Sequence, residues 1–246
     1  FDIAKAICII LVVIGHYYPC SSPEWYVKMR EWIYSFHMPL FLFASGYIYI
    51  AFKREEKYID FIIKKIKRLM LPYLATSFII ITIKLLTQNG MYVENPVNTF
   101  SYLRMFYYPE AGYFLWFIWT LFLMFCVMPF FKKKIHRLGL FVVALVIHFC
   151  STTEFPDVFC IRETLSMMVW FMFGVVCFDF RGYVDKKKCS KKLCGIAVIL
   201  FVVSSLMKYV IHLSNDYMLL MITHLLPWTG IAFVLYFSNL QAQNID

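Results

Sequence analysis

Four residues near the N-terminus are candidates to move a proton or hold a charge in a site: Asp2, Lys5 and His16 in FDIAKAICIILVVIGH, and His37 in SFHMP. A neutral imidazole takes a proton from an alcohol near neutral pH, which makes His16 the candidate general base for activating a hydroxyl. His37 is the second candidate, either as base or as the group that positions that hydroxyl. Lys5 and His16 stand eleven positions apart, close to three helical turns and roughly 16 Å along one face. Asp2, Lys5, Ile9, Val12 and His16 follow steps of three and four, so the polar groups form one stripe and aliphatic residues cover the rest. Asp2, one turn before Lys5, is placed to pair with it. The blander reading leaves Asp2 and Lys5 at a membrane interface, with His16 capping the far end.

The elements that hold these residues are set by apolarity. Hydrophobic residues make up 61% of the chain, aromatics 20% and charged residues only 16%, more apolar surface than a soluble domain of this size can hide. Apolar runs fall at roughly 1–17, 32–52, 69–87, 112–131, 138–151, 163–180, 193–211 and 217–238, most near the length that crosses a bilayer. The expected fold is an all-α, polytopic membrane helical bundle of about eight transmembrane helices. A polar stripe in such a bundle must face protein or a water-filled cavity, because hydrocarbon penalises it.

The links between runs predict orientation. Residues 53–68 hold seven Lys or Arg, 132–137 hold four and 181–192 hold six, while the alternate links are poor in cations. Placing the basic links inside puts both termini in the cytoplasm. The formal charge of +9 is then mostly topology, and no nucleic-acid partner is needed to explain it. Such a basic face also suits anionic lipid or a polyphosphorylated ligand.

Five strings carry a resemblance: FDIAKAICIILVVIGH, SFHMPLFLFASGY (Ser35 to Tyr47), KKIKRLMLPY (Lys64 to Tyr73), YFLWFIWTLF (Tyr113 to Phe122) and VWFMFG (Val169 to Gly174). In this order the chain resembles the type-three family of integral-membrane acyltransferases, most of all its branch of fucose 4-O-acetylase-like sugar O-acetyltransferases. The resemblance implies transfer of an acyl group, usually acetyl from acetyl-CoA as donor substrate, to a hydroxyl of a cell-envelope sugar or polysaccharide. It also implies a bacterial inner membrane location. The family's first span pairs a basic residue, usually arginine, with a histidine eleven positions on. Lys5 takes that place here as a point charge without the planar fork. The family's paired-arginine motif before Pro-Tyr, implied to engage CoA, falls on Lys65 and Arg68. The same match implies Tyr113 and Trp116 as acceptor-site residues, although an interfacial aromatic belt explains both. The family usually has ten spans, so a single acyltransferase domain over 1–246, truncated at its C-terminus, is expected.

Other features have plainer readings. Lys84 and Lys208 are read as snorkelling to headgroups, and Ser45 and Gly46 as permitting close helix packing. Pro39 predicts a kink at the outer end of the second span. Glu154, Asp157 and Glu163, on the outer side, are left as candidates to orient His16 or bind a hydroxyl. The eight cysteines show no metal spacing, and no metal is expected. Neither a Gly-rich phosphate loop nor a Gly-x-Ser-x-Gly elbow is present. An intramembrane polar stripe suits a substrate pathway as well as a catalyst, so a transporter or flippase for a glycan or lipid-linked sugar is the alternative.

Overall fold

The computed structural model describes residues 2–17, 22–53, 55–93, 95–150, 158–182, 189–209 and 216–243. Every regular element among them is a helix. Each of the eight apolar runs is helical over most of its described residues, and five stretches are long and apolar enough to cross a membrane: Glu24–Ala51, Tyr58–Thr87, Tyr113–Phe130, Ile161–Asp179 and Tyr217–Tyr236. The remaining runs lie in α1 (Asp2–His16), α8 (Lys134–Phe149) and α10 (Cys189–Tyr209), of which Gly195–Tyr209 is a shorter apolar helix; α6 is Ser101–Arg104, and α7, within Tyr113–Phe130, is Trp116–Val127. The chain is an all-α membrane bundle, as its composition requires. It forms two compact units, one of residues 1–51 with 173–246 and one of residues 52–172.

In the first unit the second span starts earlier than its apolar run. It comprises α2 (Glu24–Tyr34) and α3 (His37–Ala51), broken at Ser35 and Phe36. Pro39 lies in the first turn of α3, where a missing N–H is tolerated but a continuous helix through residue 35 would lose a bond. The interruption lies within this 28-residue helical stretch rather than at its end. Trp32 and Phe36 cluster with Phe201 of α10 at ring separations of 5.7 and 5.2 Å, and Trp32 Nε1 donates to Ser205 Oγ at 2.9 Å. Among the described glycines, the closest approach to another helix is at Gly174 of α9 (Ile161–Asp179), where a Cβ would lie 2.0 Å from the Phe43 carbonyl oxygen. Gly46 is buried in α3, and this closest approach is made from the opposite helix.

In the second unit α4 (Tyr58–Lys65), a π-helical turn at Ile66–Met70 and α5 (Leu71–Thr87) form one 30-residue helix. At about 1.5 Å per residue it is roughly 45 Å long, more than the roughly 30 Å hydrocarbon core of a bilayer. Much of the basic stretch read as a link is thus helical. The segment 88–112 folds back along this helix: Tyr73 Oη donates to the Met105 carbonyl at 2.8 Å and the Tyr108 carbonyl at 3.1 Å, and Val97, Met105 and Ala111 are buried beside it. Contacts alternate between the two ends as an up-and-down chain requires. Tyr58 meets Phe130 (5.2 Å) at one end, while Tyr113 bonds Glu163, and His148 Nδ1 bonds the Ser166 carbonyl, at the other.

Candidate functional site

His16 closes α1, and its Nδ1 lies 2.8 Å from the Val12 carbonyl one turn back. With Nδ1–H donating, Nε2 is the acceptor nitrogen, and the side chain is exposed. The helix end is held against α2 by three contacts. Tyr26 Oη donates to the Ile14 carbonyl at 3.0 Å and the Tyr17 carbonyl at 2.7 Å, and Arg30 Nε donates to the Gly15 carbonyl at 2.9 Å. Gly15 makes this approach possible, since a Cβ there would sit 3.1 Å from the Tyr34 ring. Asp2 and Lys5 lie on α1, but their side chains are outside the described residues, as are Glu154 and Asp157.

His37 begins α3 at the break and is fully buried. Its Nδ1 lies 2.9 Å from the Ile33 carbonyl, whose other donor is the Phe36 N–H at 3.3 Å. The imidazole thus supplies a bond that the broken helix lacks. Its Nε2 is buried with no hydrogen-bond partner, an acceptor that can take a hydroxyl hydrogen. The two histidines meet through Tyr34, whose ring centroid is 5.8 Å from His16 and 4.8 Å from His37. The Arg30 guanidinium is 5.2 Å from the same ring. α2 runs beside the end of α1, and His37 lies near the middle of the stretch Glu24–Ala51.

Tyr34 and Arg30 were not singled out from the sequence. Tyr34 reads there as one of 17 tyrosines in an aromatic-rich chain, and its only local signal is its place three residues before His37.

In the second unit Lys65 Nζ lies 3.5 Å from the centroid of the Phe125 ring and 5.2 Å from that of Phe61, so its charge is held by aromatic faces. Arg68 is exposed on the π-helical turn, where the Leu71 N–H bonds the Ile66 carbonyl five residues back. An open cavity of about 420 Å³ at this basic end is lined by Glu56, Lys57, Asp60, Ile63, Lys64 and Lys67, and Lys64 pairs with Glu56. Lys65 and Arg68 are absent from that lining. Tyr113 is exposed and donates to Glu163 Oε1 at 2.7 Å, whereas Glu163 Oε2 is buried without a partner. Trp116 is half-buried and packs on the core cluster around Tyr73. Among the described residues no group of His, Cys, Asp and Glu could hold a metal ion.

The family model of an acyltransferase domain matches residues 1–245. Among curated proteins, the chain is 28% identical over 149 residues to nodulation protein NolL of Mesorhizobium japonicum, covering 58% of this chain and 38% of that protein. It is 34% identical over 90 residues to nodulation protein NolL of Sinorhizobium fredii, covering 35% of this chain and 25% of that protein. The matched part is thus well under half of each relative's length. No solved structure matches.

Proposed function

The chain belongs to the acyltransferase-domain family, and on that premise we propose that it is a membrane O-acyltransferase moving acetyl from acetyl-CoA to a hydroxyl of a cell-envelope sugar or polysaccharide. The observation that carries the acceptor chemistry is the His16–Tyr34–His37 cluster, with His16 exposed at a helix end and Nδ1 engaged by Val12. His16 Nε2 takes the hydroxyl proton as the sugar oxygen attacks the thioester carbonyl. The new C–O ester bond forms, the C–S bond breaks, and the imidazolium returns its proton to the departing sulfur, which leaves as free CoA thiol. His37 Nε2 accepts from the sugar and positions it. Lys5, oriented by Asp2, contributes positive charge along α1.

Lys65 and Arg68 hold phosphates of the donor, and Tyr113 and Trp116 offer aromatic faces to the acceptor. Of the first pair, Arg68 is the better placed, because it is exposed while Lys65 is engaged by Phe125. We place the chain in a bacterial inner membrane, as the family resemblance implies, with both termini cytoplasmic on the charge asymmetry of its links.

The test compares wild-type protein with His16→Gln, using acetyl-CoA labelled in the acetyl group, thiol release, and mass spectrometry of envelope glycans. A general base contributes about 10²–10⁴-fold, so His16→Gln is expected to lose turnover by that order and His16→Ala by no less. Glutamine cannot accept a proton at neutral pH. Wild-type turnover in His16→Gln removes His16 as base; movement of sugar with no thiol released points to a transporter.

A further inference from the structure

A second open cavity, of about 330 Å³, lies in the first unit and is walled by Glu31, Tyr34, Ser35, Lys208, Tyr209 and Thr223. Its size is within the range of small-molecule sites, roughly 300–1,000 Å³. Its position follows from one connection between α2 and α10 and one between α10 and the last helix. Tyr209 Oη donates to the Glu31 carbonyl at 3.2 Å, and Lys208 Nζ donates to Thr223 Oγ1 at 3.2 Å. Thr223 Oγ1 in turn donates to the Leu219 carbonyl at 2.8 Å within α11 (Asp216–Gln243). Four residues later, Pro227 has no N–H with which to close the helical bond to the Thr223 carbonyl.

Snorkelling explains why a lysine is tolerated at the end of α10. It does not explain a carboxylate on α2 and four hydroxyl-bearing residues around the same space. An ammonium has three donors, of which Thr223 takes one. A carboxylate accepts from vicinal hydroxyls, and a tyrosine ring gives an apolar wall for the C–H face of a pyranose. The two charges cancel, so a lone anion would meet Glu31 and a lone cation would meet Lys208. A neutral ring rich in hydroxyls satisfies both. Tyr34 is a wall of this cavity and also the ring between His16 and His37.

We propose that this cavity is the acceptor subsite and takes a neutral sugar ring, with Lys208 and Glu31 bonding its hydroxyls and Tyr34 joining it to the two histidines. This rests on the acyl-transfer reading above.

The experiment uses the full chain in lipid nanodiscs. Binding of methyl glucoside, methyl galactoside and the anionic methyl glucuronide is followed by saturation-transfer NMR, and acetyl transfer to the same glycosides by thiol release. The expected result is binding of a neutral glycoside that weakens about tenfold or more in Lys208→Met and in Glu31→Gln, the effect of one charge-assisted hydrogen bond. Lys208→Arg, which keeps the charge and donors, should recover most of it. In transfer, KM for the glycoside should rise by a similar factor while KM for acetyl-CoA stays within about twofold.

No glycoside binding by wild type, preference for the glucuronide, or wild-type affinity in both variants overturns the proposal. Binding lost in both variants, with no thiol released by wild type, keeps the sugar site and defeats the acyl-transfer reading. Transfer with wild-type acceptor KM in both variants keeps acyl transfer and defeats the cavity.

Discussion

Replacing Gly174 by alanine should separate α3 from α9 and disturb the histidine that begins α3. The added Cβ would lie 2.0 Å from the Phe43 carbonyl oxygen, 2.8 Å from the Tyr47 nitrogen and 2.9 Å from the Phe43 carbonyl carbon. All three are backbone atoms, so no rotamer change relieves the clash. Real Cβ contacts essentially never fall under 3.0 Å, so the helices must part by at least 1.0 Å. Overpacking of this kind costs about 1–3 kcal/mol. The same displacement loosens the aromatic contacts Phe43–Phe173 (5.2 Å), Tyr47–Phe178 (5.1 Å) and Phe173–Trp228 (4.8 Å), each contributing about 0.5–1.5 kcal/mol. A total loss of about 1.5–6 kcal/mol follows if one or two of these pairs are broken.

The assay is thermal and denaturant unfolding in detergent, with Gly139→Ala as the control. Gly139 lies in α8 with nothing within 4 Å of its Cβ, so alanine there should be neutral or stabilising by up to about 1 kcal/mol from helix propensity. Acetyl transfer, measured where both variants remain folded, should fall in Gly174→Ala by as much as about a hundredfold. A misplacement of about 1 Å costs that much when it moves a group that orients substrate. Less than about 1 kcal/mol lost by Gly174→Ala, or equal effects at the two glycines, would refute the close approach of α3 and α9.

Three further outcomes are expected. His37→Gln puts a carbonyl oxygen near the place of Nε2 and should retain much of the rate; if His37→Gln is inactive while His16→Gln turns over normally, the base is His37. Arg68→Gln should raise KM for acetyl-CoA with little effect on folding, whereas Lys65→Gln should also destabilise by about 0.5–2 kcal/mol through loss of its contact with Phe125, and the reverse pattern would exchange their roles. Cysteine-accessibility labelling should find Lys133 on the cytoplasmic side and Asn95 outside, and labelling of both from one side would break the assigned orientation.

The spans were legible because lipid-length apolar runs leave the backbone little alternative to a helix. The site was legible only in part. His16 and His37 stand out by residue type, but what brings them together is α2, whose sequence EWYVKMREWIY carries four charged residues and reads as a polar link. Its packing depends on a contact invisible in one dimension, the Arg30 side chain bonding a carbonyl that Gly15 leaves accessible. Lys208 reads in the sequence as a snorkelling lysine, because a lysine near the end of a span is ordinary. Only the return of α10 and α11 beside α2 gives it Thr223 and the company of Glu31.

The basic end shows a different failure. The expectation that Lys65 and Arg68 act together comes from the family resemblance, and residues three apart on a regular 3.6-residue helix would share one face. Pro72 cannot bond the Arg68 carbonyl, and the helix continues through a wide turn in which Leu71 bonds Ile66. One extra residue in a turn shifts the following face by about 100°, so period counting fails from Ile66 onward. Lys65 turns to Phe125 and Arg68 outward for that reason. If the pair does hold one donor, its phosphates must reach two sides of this turn. A donor bound by Arg68 together with the exposed Lys67 needs no such span, and kinetics of Lys67→Gln beside Arg68→Gln would tell which pair of cations acts.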